Sequence, residues 1–155
     1  MNDHLAKQSR GCLYCIDRVV DPVRRALYIK LEAECVCQFC PEGRTLGYIS
    51  PILEFQHWLI VANEPPYQGA SAHWIAVSRK HKLTPKDIGA GDELLTIRER
   101  FMERHDLDSC SMVQRVGNMK KTCASVAHDH VHFVAAREGT LGDKTFQIDL
   151  GYWPK

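Results

Sequence analysis

The stretch Ser125-Val-Ala-His128-Asp-His130-Val-His132-Phe-Val134 sets three histidines at strict alternation in a mostly apolar run. A β-strand has a side-chain period of two. The alternation predicts one strand on which His128, His130 and His132 leave the same face, with Asp129, Val131 and Phe133 on the other. A lone histidine on a strand is usually a surface residue or a hydrogen-bonded core residue. Three in alternation are harder to place for structural reasons alone, because a face of imidazoles packs poorly and each buried ring needs partners. They follow Ser125 and a loop containing Gly117 and Asn118. The pattern points to a site in which imidazole serves as nucleophile, proton carrier or metal ligand.

Working outward, the apolar run His57–Ala62 reads as a strand, and residues 73–78 (His-Trp-Ile-Ala-Val-Ser) as a second. The pair resembles a hairpin joined by the Pro- and Gly-punctuated loop Asn63–Gly69. Ser111–Arg115 is a third strand, Gly117–Thr122 a loop, Val126–Ala136 the histidine strand, and Lys144–Leu150 a candidate short strand. Residues 21–34 read as a helix with Asp21 as cap, Pro22 in the first turn and Val23, Ala26, Leu27 and Leu31 at helical spacing. A longer helix is expected from Thr84-Pro85 to about His105, with Leu94, Leu95, Ile97, Phe101 and Met102 as its stripe. Strands in sequence around one major helix define an α+β domain on an antiparallel sheet.

The chain has 155 residues, 45% hydrophobic and 25% charged, with a formal net charge of +1. That suits one soluble domain with a proper core. No basic stripe recommends duplex nucleic acid as a partner. No apolar run approaches a membrane span, and the start lacks a signal-peptide stretch, so a cytoplasmic location is expected. The seven cysteines are then expected to be reduced, with clustered ones serving as metal ligands. Residues 1–34 read as an extension carrying the first helix, and 35–155 as the main domain.

Cys37-x-x-Cys40 is half of a zinc knuckle, and a structural zinc needs four ligands. His81 and His128 are candidates for the other two. Cys12-x-x-Cys15 with Cys37-x-x-Cys40 is a rival four-cysteine set; in a third reading Cys12 and Cys15 are ordinary residues before a helix, and a chain without metal is the remaining alternative. Cys35 is a substitute for either cysteine, while Cys110 and Cys123 read as small apolar residues.

Taken together these residues resemble the histidine-triad (HIT) superfamily, whose motif His-φ-His-φ-His-φ-φ (φ apolar) is matched by His128 to Val134. The likeness runs over most of residues 35–134 and includes the Cys-x-x-Cys start, Asn63, the run at His73–Val77, Arg79-Lys-His81, Asn118 and Ser125. It implies a five-stranded antiparallel sheet, a homodimer, and a nucleotide hydrolase or transferase acting at the α-phosphate. His130 would attack phosphorus to form a covalent nucleotidyl-histidine, while His128 and His132 hold and polarise the phosphate. Asn118 and Ser125 match positions that contact the phosphates and leaving group, Asn63 one that bonds the ribose, and His73 one near the nucleotide. Zinc-bearing members use the set that corresponds to Cys37, Cys40, His81 and His128.

Substrates implied are a purine nucleoside phosphoramidate or a dinucleoside polyphosphate. Lys120 and Lys121 lean towards the longer phosphate chain, or are simply solvated. Two departures stand out. Asp129 replaces an apolar residue, so its carboxylate must reach solvent or a partner such as an arginine. Cys123-Ala124 stands where many members carry Gly and Gln. These departures keep a second reading open: a zinc-stabilised nucleotide-binding protein with little turnover.

Overall fold

The computed structural model describes residues 13–64, 66–122, 124–137 and 139. Five antiparallel strands form one sheet: β1 (Leu53–Glu54), β2 (Trp58–Ala62), β3 (Ala70–Ser78), β4 (Ser111–Gln114) and β5 (His130–Ala136), in the order β1-β2-β3-β5-β4. The expected hairpin is β2–β3, with Ile60 opposite Ala76. Strand β5 lies between β3 and β4, so His132 faces Ile75 on one side and Val113 on the other.

The fifth strand of the sheet is β1, only two residues long and not anticipated; two residues carry no readable period. The proposed strand at Lys144–Leu150 lies outside the described residues. Regular pairing of the histidine strand begins at His130 rather than Val126, because Val126 instead bridges Tyr14 from the N-terminal segment.

Helix α1 (Pro22–Ala33) begins where expected: the Asp21 carboxylate accepts from Arg24 N–H at 2.6 Å, and Pro22 sits in the first turn. Its buried residues are Tyr28 and Leu31, whereas Val23 is 78% exposed and Ala26 is also exposed. The apolar side is thus rotated from the one expected. Cys40 leads into a short helix, α2 (Pro41–Thr45), with Pro41 in its first turn. Gly43 lets α2 approach the cysteine loop: a Cβ there would lie 2.4 Å from the Cys37 carbonyl oxygen.

The major helix, α3, spans Ala90–His105, six residues later than Thr84-Pro85 implied. Asp87 accounts for the difference. Its carboxylate accepts from both the amide and hydroxyl of Thr84, closing a separate turn. Leu95, expected in the stripe, is 51% exposed, and Ala90, Ile97 and Phe101 carry the packing. Helix α4 (Met119–Thr122) is a single turn inside the expected loop.

The sheet has two covered faces. On one, Trp58, Trp74, Val131, Phe133 and Ala135 pack against Ile97 and Phe101 of α3. On the other, Val77 packs with Leu13, Tyr14, Tyr28, Leu31, Phe39 and Val126. The N-terminal segment is stitched to the chain just before the triad. Cys15 N–H donates to the Ser125 carbonyl, Ala127 N–H to the Leu13 carbonyl, and Glu32 accepts from the amides of Leu13 and Tyr14. No helix among the described residues is long and apolar enough to cross a membrane.

Candidate functional site

His73, His128, His130 and His132 are all buried, with exposures of 4%, 1%, 6% and 6%. Burial demands a partner for each ring nitrogen, and the partners fix where the protons sit. The His130 Nδ1 lies 2.6 Å from the His128 carbonyl oxygen. A carbonyl only accepts, so Nδ1 carries the hydrogen and Nε2 keeps its lone pair. Burial holds this ring below the usual histidine pKa, the bond to the His128 carbonyl partly opposing it. At neutral pH His130 is a neutral imidazole with a free Nε2.

The third histidine is fixed by a longer chain. Tyr67 N–H, which can only donate, points at His73 Nδ1 from 3.4 Å, and Asn63 Nδ2 lies 3.0 Å from the same nitrogen. His73 Nδ1 is therefore an acceptor, and its Nε2 carries the hydrogen. That hydrogen is donated to His132 Nδ1 at 2.9 Å, which leaves His132 with its own hydrogen on Nε2. Burial depresses the pKa of His73 to about 4 and, with the neighbouring histidines, that of His132 to about 2. Tyr67 covers the pair, its ring centroid 4.3 Å from His73 and 5.5 Å from His132. The His130 and His132 rings meet edge-on at 5.0 Å. The arrangement offers one lone pair and one N–H donor side by side, both on neutral rings.

His128 has a different task. Its Nε2 lies 2.8 Å from the Ser78 carbonyl oxygen, so that nitrogen donates and Nδ1 keeps its lone pair. Nδ1 is 3.4 Å from Cys37 Sγ and 3.6 Å from Cys40 Sγ, and His81 Nδ1 is 3.4 Å from Cys40 Sγ. All four ligand atoms lie within 4.8 Å of one another. Zinc bonds of about 2.3 Å to sulfur and 2.1 Å to nitrogen give a tetrahedral N–S edge of about 3.6 Å. Two thiols, two imidazole nitrogens and a carbonyl holding the second nitrogen of His128 suit such an ion, and the cluster can hold a metal. The two thiols are coupled: the hydrogen bond between them pulls Cys37 down and pushes Cys40 up. Of the rival four-cysteine set, Cys12 lies outside the described residues, and Cys15 is not among the clustered ligands.

A cavity of about 970 Å³ opens beside this cluster. Its walls include Cys37, Cys40 and His81, the N-terminal residues Tyr14 and Asp17, and Asn118 with Met119. Asn118 is exposed, and its carbonyl caps α4 through Lys121 and Thr122. Ser125 is half-buried, within hydrogen-bonding reach of the Tyr28 phenol. Lys121 is exposed, and the side chain of Lys120 lies outside the described residues. Asp129 meets a backbone amide rather than an arginine: its carboxylate accepts from Leu83 N–H at 2.7 Å.

Sequence reasoning missed Tyr67, Ser78 and Phe39. Tyr67 sits in a loop with no period. Ser78 acts through its backbone. Phe39, between the two cysteines, has its ring 5.6 Å from His128 and 5.8 Å from His130. Only its apolar character between two ligands hinted at packing.

No family model and no curated protein matches the chain. Among solved structures it is similar to a HIT family hydrolase from Legionella pneumophila Philadelphia 1, at 18% identity and a TM-score of 0.51. That match covers 66% of this chain and 97% of the other. A histidine triad protein from Clostridium difficile matches at 16% identity and a TM-score of 0.49, over 65% of this chain and 91% of its own. The likeness to the Legionella structure shows that the fold of this chain is the histidine-triad fold.

Proposed function

We propose that the protein is a nucleotide hydrolase or nucleotidyltransferase that works through a covalent nucleotidyl-histidine on His130. The observation that carries this reading is the assignment of protons: a lone pair on His130 Nε2 beside an N–H on His132. His130 Nε2 attacks the α-phosphorus, a P–N bond forms, and the bond from phosphorus to the leaving nitrogen or oxygen breaks. Water then attacks the same phosphorus, the P–N bond breaks, and a nucleoside monophosphate leaves with His130 neutral again. The His132 Nε2–H offsets charge on a phosphoryl oxygen, and His73, Asn63 and Tyr67 keep that hydrogen in place.

The substrate in this reading is a purine nucleoside phosphoramidate or a dinucleoside polyphosphate. Asn63 lies beside the ribose, Asn118 and Ser125 beside the phosphates and leaving group, and Lys120 and Lys121 beside any longer phosphate chain. Cys37, Cys40, His81 and His128 would hold zinc, which when bound supplies a fixed anchor for the loop and for His128. Residues 1–34 belong, in this reading, to the same globular unit as residues 35–155. The homodimer implied by the resemblance, and the cytoplasmic location expected from the sequence, are part of the same proposal.

The test is release of AMP from adenosine phosphoramidate and from diadenosine polyphosphates. Wild-type turnover should fall about 10³-fold or more in His130→Ala, with nucleotide still bound. Nucleotide binding without turnover in the wild type would replace this reading with that of a zinc-stabilised binding protein.

A further inference from the structure

Asp129 is the charged residue that breaks the apolar pattern between the first two histidines, and its bonds all run to one segment. Its amide donates to the His81 carbonyl at 3.0 Å, its carbonyl accepts from Ser78 N–H at 3.0 Å, and its carboxylate accepts from Leu83 N–H at 2.7 Å. His81 is thus held from both sides, at its own carbonyl and at the amide two residues on. The Ser78 hydroxyl bonds the Lys80 carbonyl within the same turn, and the Ser78 carbonyl takes the Nε2–H of His128. The segment from Ser78 to Leu83 and residues 128–129 therefore form one hydrogen-bonded frame around two of the four clustered ligands.

We propose that Asp129 is a positioning residue for the metal site: its carboxylate clamps the turn that carries His81 and so sets that ring against Cys37, Cys40 and His128 before any ion arrives. This rests on the reading of that cluster as a zinc site. The third ligand comes from an irregular turn of partly exposed residues, with no helix or strand to orient it. A turn of that kind pays conformational entropy on binding unless something already holds it. A carboxylate accepting a backbone amide is a charge-assisted bond, and the half-buried position of Asp129 limits competition from water. A mainly apolar residue at this place would leave the Leu83 amide without that acceptor.

The experiment measures Zn²⁺ affinity of the full chain by chelator competition, with the Co²⁺ absorption spectrum as a report on ligand geometry. Asp129→Ala should bind Zn²⁺ about 10- to 100-fold more weakly, the usual loss when a group orienting a ligand is removed. Its Co²⁺ bands should lose intensity as the tetrahedral set loosens, while the metal-free melting temperature shifts little. Asp129→Asn keeps an acceptor and should lose less than about tenfold, since a neutral acceptor retains roughly half the bond. Hydrogen exchange on the metal-free wild type gives an answer independent of any variant's folding. A protected Leu83 amide supports the clamp, and a freely exchanging one that slows only with Zn²⁺ overturns it. Wild-type binding with undiminished affinity in Asp129→Ala overturns the clamp but leaves the zinc site standing. A wild type that takes up no zinc overturns both.

Discussion

Both faces of the sheet are covered, but the side chains that one strand turns to each are held by different forces. Strand β5 serves both: Val131, Phe133 and Ala135 turn to helix α3, while His130 and His132 turn to the other side. On the helix face, Ile97, Phe101 and Phe133 are fully enclosed and need only volume and contact. On the histidine face each described ring is oriented by a specific donor or acceptor, from the Tyr67 amide through His73 to His132, and from the His128 carbonyl to His130. Hydrophobic packing is non-directional and tolerates substitutions of similar shape. A hydrogen-bonded imidazole face is directional, and a wrong tautomer removes its chemistry even where the fold survives. Non-directional packing and directional hydrogen bonding are thus divided between odd and even residues of one strand, from His130 to Phe133.

The sharpest way to break this division is to hollow out the helix face. Phe101 is fully buried, packed on Trp74 at 5.2 Å and on Phe133 at 6.2 Å between ring centroids. Phe101→Ala should cost about 3–5 kcal/mol of folding stability through lost transfer and a residual cavity. Denaturant unfolding measures that loss. Under conditions where the variant remains folded, its Zn²⁺ affinity should match the wild type. An equal fall in both would show that the faces are not independent.

Acid tests the other face. The pKa of His73 is depressed to about 4, chiefly by burial and then by the charge of Arg24. The unfolded chain takes up this proton at about pH 6.5 and the folded chain only near 4. The neutral His73 therefore contributes its full stability above about pH 6.5, and that contribution is lost as the pH falls towards 4. The loss is on the order of 3 kcal/mol for a shift of this size. His132, whose pKa lies near 2, extends the loss below that window. Unfolding free energies of wild type and His73→Gln at pH 7, 5.5 and 4.5 check this, because the variant should have a shallower slope. Identical slopes would break the neutral relay that keeps the hydrogen on His132 Nε2.

The same contrast explains what could be read from the sequence. The alternation at 128–132, the cap Asp21-Pro22 and the pairing of Cys-x-x-Cys with His81 and His128 are short-range patterns or sets of ligand types, and the structure brings those four ligands together. Exposed Val23 and Leu95 show where periodicity fails, since it marks an apolar side without saying how far that side is turned towards the core. Strand β1, the Tyr67 amide and the Asp129–Leu83 bond were not legible because each depends on backbone partners brought together by the fold. A backbone donor has no residue type to betray it. Asp87 was visible as a residue, yet its competition with the helix start at Thr84 emerges only from the turn it closes.

The smallest expected effect asks how far the directional face extends into the N-terminal segment. Tyr14 is 3% exposed, and its hydroxyl donates to the Val36 carbonyl at 2.9 Å while accepting from Gln38 N–H at 2.7 Å. Those two groups flank Cys37, so a residue well before the cysteine loop holds the backbone on either side of a candidate ligand. Burial raises the pKa of this phenol well above its ordinary value, so it stays protonated and able to do both. Tyr14→Phe keeps the ring and its packing on Tyr28, with centroids 4.5 Å apart, but leaves a buried donor and a buried acceptor unmatched. The expected cost is roughly 1–2 kcal/mol of stability by denaturant unfolding. If the segment only covers the sheet, Zn²⁺ affinity will be unchanged in this variant. If it belongs to the directional face, affinity will fall along with stability, because the Cys37 loop loses its hold in the metal-free state while the ring packing is retained.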